Sequence, residues 1–196
     1  MNPRPCTAAE AVSRAKSLVI RGGGQYILGT GDWCPTSHSD LPWTERAGQI
    51  GSDCAGFAIS WCYKLPRHRP GFNIGPWASV ADDLNCNSAI EDADHQRDLF
   101  QRVYTPEVGD LLMYPTFHLA SLQAPFIGHV VIVTGVGRAA EWDSQKPEYG
   151  LLDVAECHGP NGHTPGVVAN TGAGFQRHAA TWPKPEHTTR LLRVLP

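Results

Sequence analysis

The spacing of the apolar residues changes halfway along this sequence, and that change restricts the fold more than any other feature. Over 8–19 and 53–65 the apolar residues recur at the spacing of an α-helix. Further along they form short runs typical of strands, at 111–114, 130–133, 151–158 and 188–195. Helices followed by strands predict an α+β fold, in which the helix over 53–65 packs on an antiparallel sheet of about four to six strands.

The ends of these elements carry their own signals. Thr7 and Glu10 have the spacing of a capping box that starts the first helix, and Pro66 ends the second one. The run Val-Val-Ile-Val at 130–133 is apolar on both faces, so we predict that it lies centrally in the sheet. A further surface helix is predicted over 88–103, and the last strand is predicted to close the sheet.

The length and charge of the chain limit its organisation and partners. We predict a single domain over 1–196, with loop insertions at about 66–105, 115–128 and 138–149. The formal net charge of −3 and the lack of a long basic run argue against nucleic-acid binding. No apolar window is long enough for a membrane span, and the N-terminal residues lack the apolar stretch of a signal peptide. The localisation stays open: the protein works where it is made, is delivered by other components, or has lost a leader.

The chain has six cysteines and nine histidines, and their spacing limits the redox and metal chemistry that it can carry out. No cysteine pair has the short spacing of a structural zinc site, and nothing in the spacing of His38, Asp40 and Glu45 requires a metal. We therefore predict neither a metal nor a cofactor. The even number of cysteines would allow disulfides in an oxidising compartment, but a catalytic Cys54 would leave at least one other thiol free.

Cys54 is the strongest candidate for a reactive group. A polar turn, Gly-Ser-Asp at 51–53, precedes the predicted helix, so Cys54 falls in its first turn. The unpaired amides and the helix dipole at that position stabilise a thiolate and, equally, an oxyanion formed from a substrate carbonyl. The alternative is a small buried hydrophobic residue, which is the usual fate of a free cysteine.

A thiolate nucleophile needs a base, and His129 is the candidate among the histidines. It stands at the start of the apolar strand, where its ring is held while it stays accessible, whereas most of the others fall in loops. A third group should orient the imidazole. Alternation places Glu156 and His158 on one face near the end of the strand over 151–158. Either of the two could take this role, and His158 is placed ahead of Glu156.

Four segments resemble motifs of the NlpC-type cell-wall peptidases, in the same order along the chain. Asp-Cys-Ala-Gly-Phe at 53–57 resembles the family's Asp-Cys-Ser-Gly-Phe nucleophile motif, and Gly-His-Val-Val-Ile at 128–132 resembles its Gly-His-Val-Gly-Ile base motif. Tyr-Ile-Leu-Gly-Thr-Gly at 26–31 is similar to its Tyr-x-x-Gly-Gly segment. Val-Gly-Asp-Leu at 108–111 is similar to the Pro-Gly-Asp-Leu that opens its first core strand. As an ordered series, the resemblance covers residues 8–196.

The resemblance implies a papain-like fold and hydrolysis of amide bonds in peptidoglycan stem peptides. It also implies that Tyr26 and Asp53 line the substrate site. Ala55 stands where the family has a Ser that helps to bind substrate in some members, and the family's third polar residue is usually a His. The related CHAP amidases have a Glu after the His, which keeps Glu156 as an alternative.

Other functions stay open beside this one. A papain-like chain of this type could carry out acyl transfer or hydrolyse an amide outside peptidoglycan, and the Ala at position 55 leaves room for that. The non-enzymatic alternative is a relative that binds wall peptides without cutting them. A phage enzyme, a delivered toxin with an immunity protein as partner, or an excised catalytic domain would each suit such a chain.

Overall fold

A computed structural model of the chain describes residues 5–21, 25–28, 44–46, 49–67, 84–96, 98–116, 128–137, 152–159, 166–170 and 189–196. In chain order these residues form helix α1 (Ala8–Arg21), strands β1 (Gln25–Tyr26), β2 (Thr44–Arg46) and β3 (Gln49–Ser52), a helix over 54–63, helix α2 (Cys86–Glu91), and strands β4 (Phe100–Val103), β5 (Leu111–Tyr114), β6 (His129–Val136), β7 (Leu152–His158), β8 (Gly166–Asn170) and β9 (Arg190–Val194). We call the helix over 54–63 the Cys54 helix. Its middle, Gly56–Trp61, has π-helical hydrogen bonding.

The main sheet has six strands in the order β4-β9-β5-β6-β7-β8, and each neighbouring pair is antiparallel. The predicted α+β class is therefore confirmed. The apolar run at 130–133 lies in β6, between β5 and β7, as predicted for a central strand. The last predicted strand is β9, but the prediction that it closes the sheet is wrong, because β9 lies within the sheet between β4 and β5.

The predicted surface helix over 88–103 is wrong in its second half. α2 ends at Glu91 and passes into a π-helical turn, Asp92–Gln96. The buried carboxylate of Asp92 then accepts from the backbone amides of residues 98–100, at 3.2, 3.0 and 2.8 Å. These bonds turn the chain, and Phe100 enters β4 instead of continuing a helix.

The capping box predicted at the start of α1 is confirmed. Glu10 Oε2 accepts from the Thr7 N–H at 2.8 Å, and Thr7 Oγ1 accepts from the Glu10 N–H at 3.3 Å. From there α1 runs along the main sheet and contacts β6, β7 and β8, with Ala11, Ala15 and Leu18 buried.

The Cys54 helix packs on the main sheet against β6 and β7, as predicted for the helix over 53–65. Its residues are buried on every side, and full burial of a side chain such as Phe57 or Ile59 contributes about 1.5–3 kcal/mol. The helix ends where Lys64 takes a left-handed φ of 56°, shortly before Pro66. This packing fixes the first turn of the helix relative to the ends of β6 and β7.

A second sheet of three strands leads the chain into the Cys54 helix. β3 lies between β1, which is parallel to it, and β2, which is antiparallel. β3 ends at Ser52, whose partner in β1 is Tyr26. The Ser52 carbonyl also accepts from the thiol of Cys157 in β7, at 3.3 Å, so the entry to the helix is tied to the main sheet.

The described residues contain no helix that is both long enough and apolar enough to cross a membrane. Residues 117–127 and 138–149, in two of the predicted insertions, lie outside the described ranges. His38 and Asp40, considered from the sequence as metal ligands, also lie outside these ranges.

Candidate functional site

Asp53 fixes the start of the Cys54 helix. Its Oδ1 accepts from the Gly56 N–H at 2.7 Å, and its backbone oxygen accepts from the Phe57 N–H at 3.0 Å. An N-cap has this arrangement, in which the side chain takes an amide that the first turn leaves without an intrahelical acceptor. Cys54 is therefore the first helical residue, as predicted. Its side chain is buried, as is that of Ala55 after it.

Arg67 neutralises this cap. Its Nη1 and Nη2 donate to the two carboxylate oxygens of Asp53 at 2.9 and 2.8 Å, a rigid bidentate geometry. Because Asp53 is buried, the guanidinium offsets a negative charge that would otherwise oppose a thiolate on the next residue. The resemblance places Asp53 in the substrate site, and in the structure its carboxylate contacts a helix amide and Arg67.

His129 opens β6, and its ring faces Glu156. Nε2 of His129 lies 2.8 Å from Oε2 of Glu156. The register explains this contact, because Val131 pairs with Glu156 and His129 lies two residues earlier on the same face, within diagonal reach. His129 is 8% exposed and Glu156 is 0% exposed. A buried carboxylate at this place orients the imidazole and stabilises its protonated form.

His158, placed ahead of Glu156 from the sequence, makes a different contact. Its Nδ1 lies 2.7 Å from the carbonyl oxygen of Gly159, so this nitrogen donates to the backbone. Both candidates, Glu156 and His158, lie on the strand predicted to carry the orienting group. The structure puts the carboxylate of Glu156, rather than a ring nitrogen of His158, against Nε2 of His129.

The thiol of Cys54 reaches the first residues of β6. Its Sγ lies 3.8 Å from the carbonyl oxygen of Gly128, the residue before β6, and the thiol is close enough to the imidazole of His129 for each group to shift the pKa of the other. Because Nε2 faces Glu156, the Nδ1 side of the ring is the side that the thiol approaches. The imidazole therefore stands between a sulfur and a carboxylate.

The thiol and the imidazole change each other's protonation. A hydrogen bond from the Cys86 thiol lowers the pKa of Cys54, burial opposes this, and the hydrogen bond and charge of His129 bring it to about 5. Burial disfavours the imidazolium, but the hydrogen bonds and charges of Cys54 and Glu156 outweigh burial and raise the pKa of His129 to about 10. Between these values the pair is a thiolate and an imidazolium, the form in which a cysteine is nucleophilic.

Sequence reasoning counted Cys86 among the cysteines but gave it no role. It is the buried first residue of α2, and the hydrogen bond with the Cys54 sulfur raises its pKa, so it stays protonated. The available signal was the N-cap residue Asn85 before it, which repeats the pattern of Asp53 before Cys54. Nothing local shows that the two helix starts meet. The five cysteines in the described ranges are free thiols, and Cys34 lies outside those ranges.

Two buried tyrosines lie near enough to the thiol to be affected by its charge. The ring of Tyr26 packs against Gly159, where an added Cβ would lie 3.3 Å from it. Burial and, next, the negative charge at Cys54 raise the pKa of Tyr26, so its hydroxyl stays protonated. The same two causes raise the pKa of Tyr114, whose ring centroid is 6.2 Å from that of His129. Tyr26, expected at the substrate site from the resemblance, thus packs at the end of β7 and is affected by the charge of the thiol.

Within the ranges that the structure describes, no three His, Cys, Asp or Glu side chains are grouped so that they could hold a metal ion. The site does bring together a nucleophile, a base and an orienting carboxylate, next to helix amides that can donate to an oxyanion. These groups suit attack of the sulfur on a carbonyl carbon. Comparisons with protein-family models, with curated proteins and with solved structures found no match.

Proposed function

We propose that this chain is a cysteine hydrolase of the papain-like, NlpC type, and that it cleaves amide bonds in peptidoglycan stem peptides. One observation carries the chemistry: the imidazole of His129 stands between the thiol of Cys54 and the buried carboxylate of Glu156. The fold agrees with it, because the thiol begins a helix that packs on an antiparallel sheet and the imidazole begins a strand of that sheet. The substrate class rests on the sequence resemblance.

In the first half of the reaction the Cys54 thiolate attacks the amide carbonyl. Negative charge develops on the carbonyl oxygen, and the amide of Cys54 and a neighbouring helix amide donate hydrogen bonds to it. The imidazolium of His129 then gives its proton to the leaving nitrogen. The C–N bond breaks, and the acyl group is left as a thioester on Cys54.

The second half releases the acid. His129, now neutral, takes a proton from a water molecule, whose oxygen attacks the thioester carbonyl. The C–S bond breaks, and the thiolate and imidazolium return. Glu156 keeps the ring in one orientation throughout and stabilises the charge that His129 carries at the start and the end.

The orienting carboxylate favours a second candidate within this class. NlpC-type peptidases usually have a His in the third position, whereas the related CHAP amidases have a Glu. The contact between Glu156 and His129 is therefore the observation that favours a CHAP-like amidase. The two candidates share the thioester chemistry, and the identity of the cleaved bond separates them.

Digestion of purified murein sacculi tests the proposal with three proteins: the wild type, Cys54→Ala and Cys62→Ala. Cys62 is a buried thiol at the other end of the Cys54 helix, so its removal makes a similar cavity away from the site. We expect stem-peptide fragments from the wild type and Cys62→Ala, and none from Cys54→Ala. Mass spectrometry of the fragments identifies the bond.

The other outcomes are equally informative. Equal release by Cys54→Ala would contradict the role of Cys54. No release by the wild type, together with rapid alkylation of Cys54, would contradict the murein substrate and direct the search to other amides or to acyl transfer. A Cys54 that iodoacetamide alkylates no faster than an ordinary free thiol would favour the non-catalytic wall-binding relative.

A further inference from the structure

The proposed reaction uses one thiol, and a second buried thiol, that of Cys86, lies close enough to interact with it. Cys86 begins α2 directly after Asn85, whose Oδ1 accepts from the amides of Asn87 and Ser88 at 2.9 and 3.1 Å. The Asn85 N–H donates in return to Ser88 Oγ at 2.9 Å. This capping box fixes the backbone on both sides of Cys86, which is 5% exposed and belongs to the same buried cluster as Cys54.

A short hydrogen-bond network ties the start of α2 to the place of the Cys54 sulfur. Asn87 Oδ1 accepts from the Thr116 N–H at 2.8 Å, and Thr116 Oγ1 accepts from the Gly128 N–H at 2.9 Å. The carbonyl of Gly128 in turn faces Cys54 Sγ at 3.8 Å. The interaction between the two thiols is also the first cause of the shift in the pKa of each, so the two side chains lie close enough to interact. Two buried thiols thus lie at helix starts that one hydrogen-bond network holds together, and no bond of this network involves the His129 side chain.

We propose that Cys54 and Cys86 form a reversible disulfide when the protein meets a hydroperoxide, and that Cys86 thereby protects Cys54 from irreversible oxidation. The inference rests on the reactive thiolate of the proposed function but not on its substrate. A disulfide needs Cβ atoms about 3.5–4.5 Å apart. Both thiols begin helices in one buried cluster, and side-chain rotation with a small shift of a helix start would bring them to this geometry.

The oxidation proceeds in two balanced steps. The Cys54 thiolate attacks one oxygen of hydrogen peroxide, so an S–O bond forms, the O–O bond breaks, and the departing hydroxide takes the proton of His129 to become water. The sulfur of Cys86 then attacks the sulfenic sulfur on Cys54. The S–S bond forms, the S–O bond breaks, and the oxygen leaves as a second water with the proton from Cys86.

Cys86 becomes a better attacking group once the first step is over. Its pKa is raised by the hydrogen bond with the Cys54 thiolate, then by burial, and then by the thiolate's charge. A sulfenic acid is neutral, so the thiolate's two contributions disappear and more of the reactive Cys86 thiolate forms. His129, neutral after the first step, is available to carry the proton from Cys86 to the leaving oxygen.

Peptide mass spectrometry after graded hydrogen peroxide, without reduction, tests this on the whole chain as wild type, Cys86→Ser and the matched control Cys62→Ser. We expect a linked Cys54–Cys86 peptide in the wild type and in Cys62→Ser, with full recovery of Cys54 alkylation after dithiothreitol. In Cys86→Ser we expect no such link and a Cys54 that carries two added oxygens, which dithiothreitol does not remove.

The wild-type measurement needs no variant, so the proposal stays testable if Cys86→Ser fails to fold. It is overturned if Cys54 passes to the sulfinic acid at the same peroxide dose in the wild type and Cys86→Ser. It is also overturned if Cys54 links instead to another cysteine, such as Cys157, whose thiol donates to the Ser52 carbonyl. Hydrolysis is not read in this experiment, so a Cys54–Cys86 link in a protein that leaves murein intact would support the disulfide and remove only the substrate.

Discussion

Replacing Glu156 by Gln removes one charge from the site while it keeps the shape of the side chain. Nε2 of His129 lies 2.8 Å from Oε2 of Glu156, whose side chain is fully buried. Burial acts to lower the pKa of His129, and Cys54 and Glu156 together raise it to about 10. Because Glu156→Gln takes away one of these two negative charges, we expect the pKa of His129 to fall.

The size of the fall follows from the contact. Coulomb attraction between unit charges at this 2.8 Å separation is about 6 kcal/mol at an effective dielectric constant of about 20. That is an upper bound, because Gln keeps a polar oxygen at the same place. A hydrogen bond to a charged group has a net value of about 1.5–3 kcal/mol, and about 1.4 kcal/mol corresponds to one pH unit. The pKa of His129 therefore falls by about 1 to 2 and stays above its ordinary value, because Cys54 remains.

NMR of the histidine Cε1–H resonances measures this pKa, with the His129 signal assigned by its loss in His129→Ala. We expect a wild-type midpoint at about pH 10 and a midpoint about 1 to 2 pH units lower in Glu156→Gln. Glu91→Gln is the matched control, because Glu91 is a partly exposed carboxylate beside His95. An unchanged midpoint in Glu156→Gln, or an equal fall in Glu91→Gln, would refute the argument that Glu156 stabilises the imidazolium.

Substitutions at three further positions test the scaffold by urea denaturation. Asp53→Ala lowers the free energy of unfolding by about 3–5 kcal/mol, because the helix cap is lost and the largely buried Arg67 loses its bidentate carboxylate partner, whereas Asp53→Asn retains a cap acceptor and loses less. Gly109→Ala lowers it by about 1–3 kcal/mol, because φ is 100° and the new Cβ would lie 2.5 Å from that of Ala8. Ile132→Ala, in the fully buried centre of β6, lowers it by about 2–5 kcal/mol. Losses below 0.5 kcal/mol would contradict each argument.

The parts of the fold that could be predicted from the sequence are those that depend on residues close together along the chain. The capping box at Thr7 and Glu10, the buried helix after Asp53 and the strand that begins at His129 each follow from residues a few positions apart. The same is true of the position of Cys54 in a first helical turn. Alternation along β7 also placed Glu156 on a face that the base could reach.

The parts it missed depend on contacts between distant segments. The prediction of a helix over 88–103 is wrong in its second half because the carboxylate of Asp92 accepts from the amides of residues 98–100 and turns the chain. The residues that follow then pair with β9 and form β4. The spacing of the apolar residues is the same whether the segment continues as a helix or turns into a strand. Cys86 was missed for a similar reason, since its meeting with Cys54 depends on how α2 lies beside the loop after β5. The order of preference between His158 and Glu156 needed the register of β6 on β7.

The pH dependence of Cys54 alkylation tests the central claim most directly, namely that Cys54 and His129 form a thiolate–imidazolium pair. The rate with iodoacetamide is followed at Cys54 by mass spectrometry across acid and alkaline pH, in the wild type and in His129→Ala. We expect a wild-type midpoint at about pH 5 and a higher midpoint in His129→Ala, because the hydrogen bond and charge of the imidazolium are lost. A wild-type midpoint near the ordinary thiol value of 9.0, unchanged in His129→Ala, would contradict it.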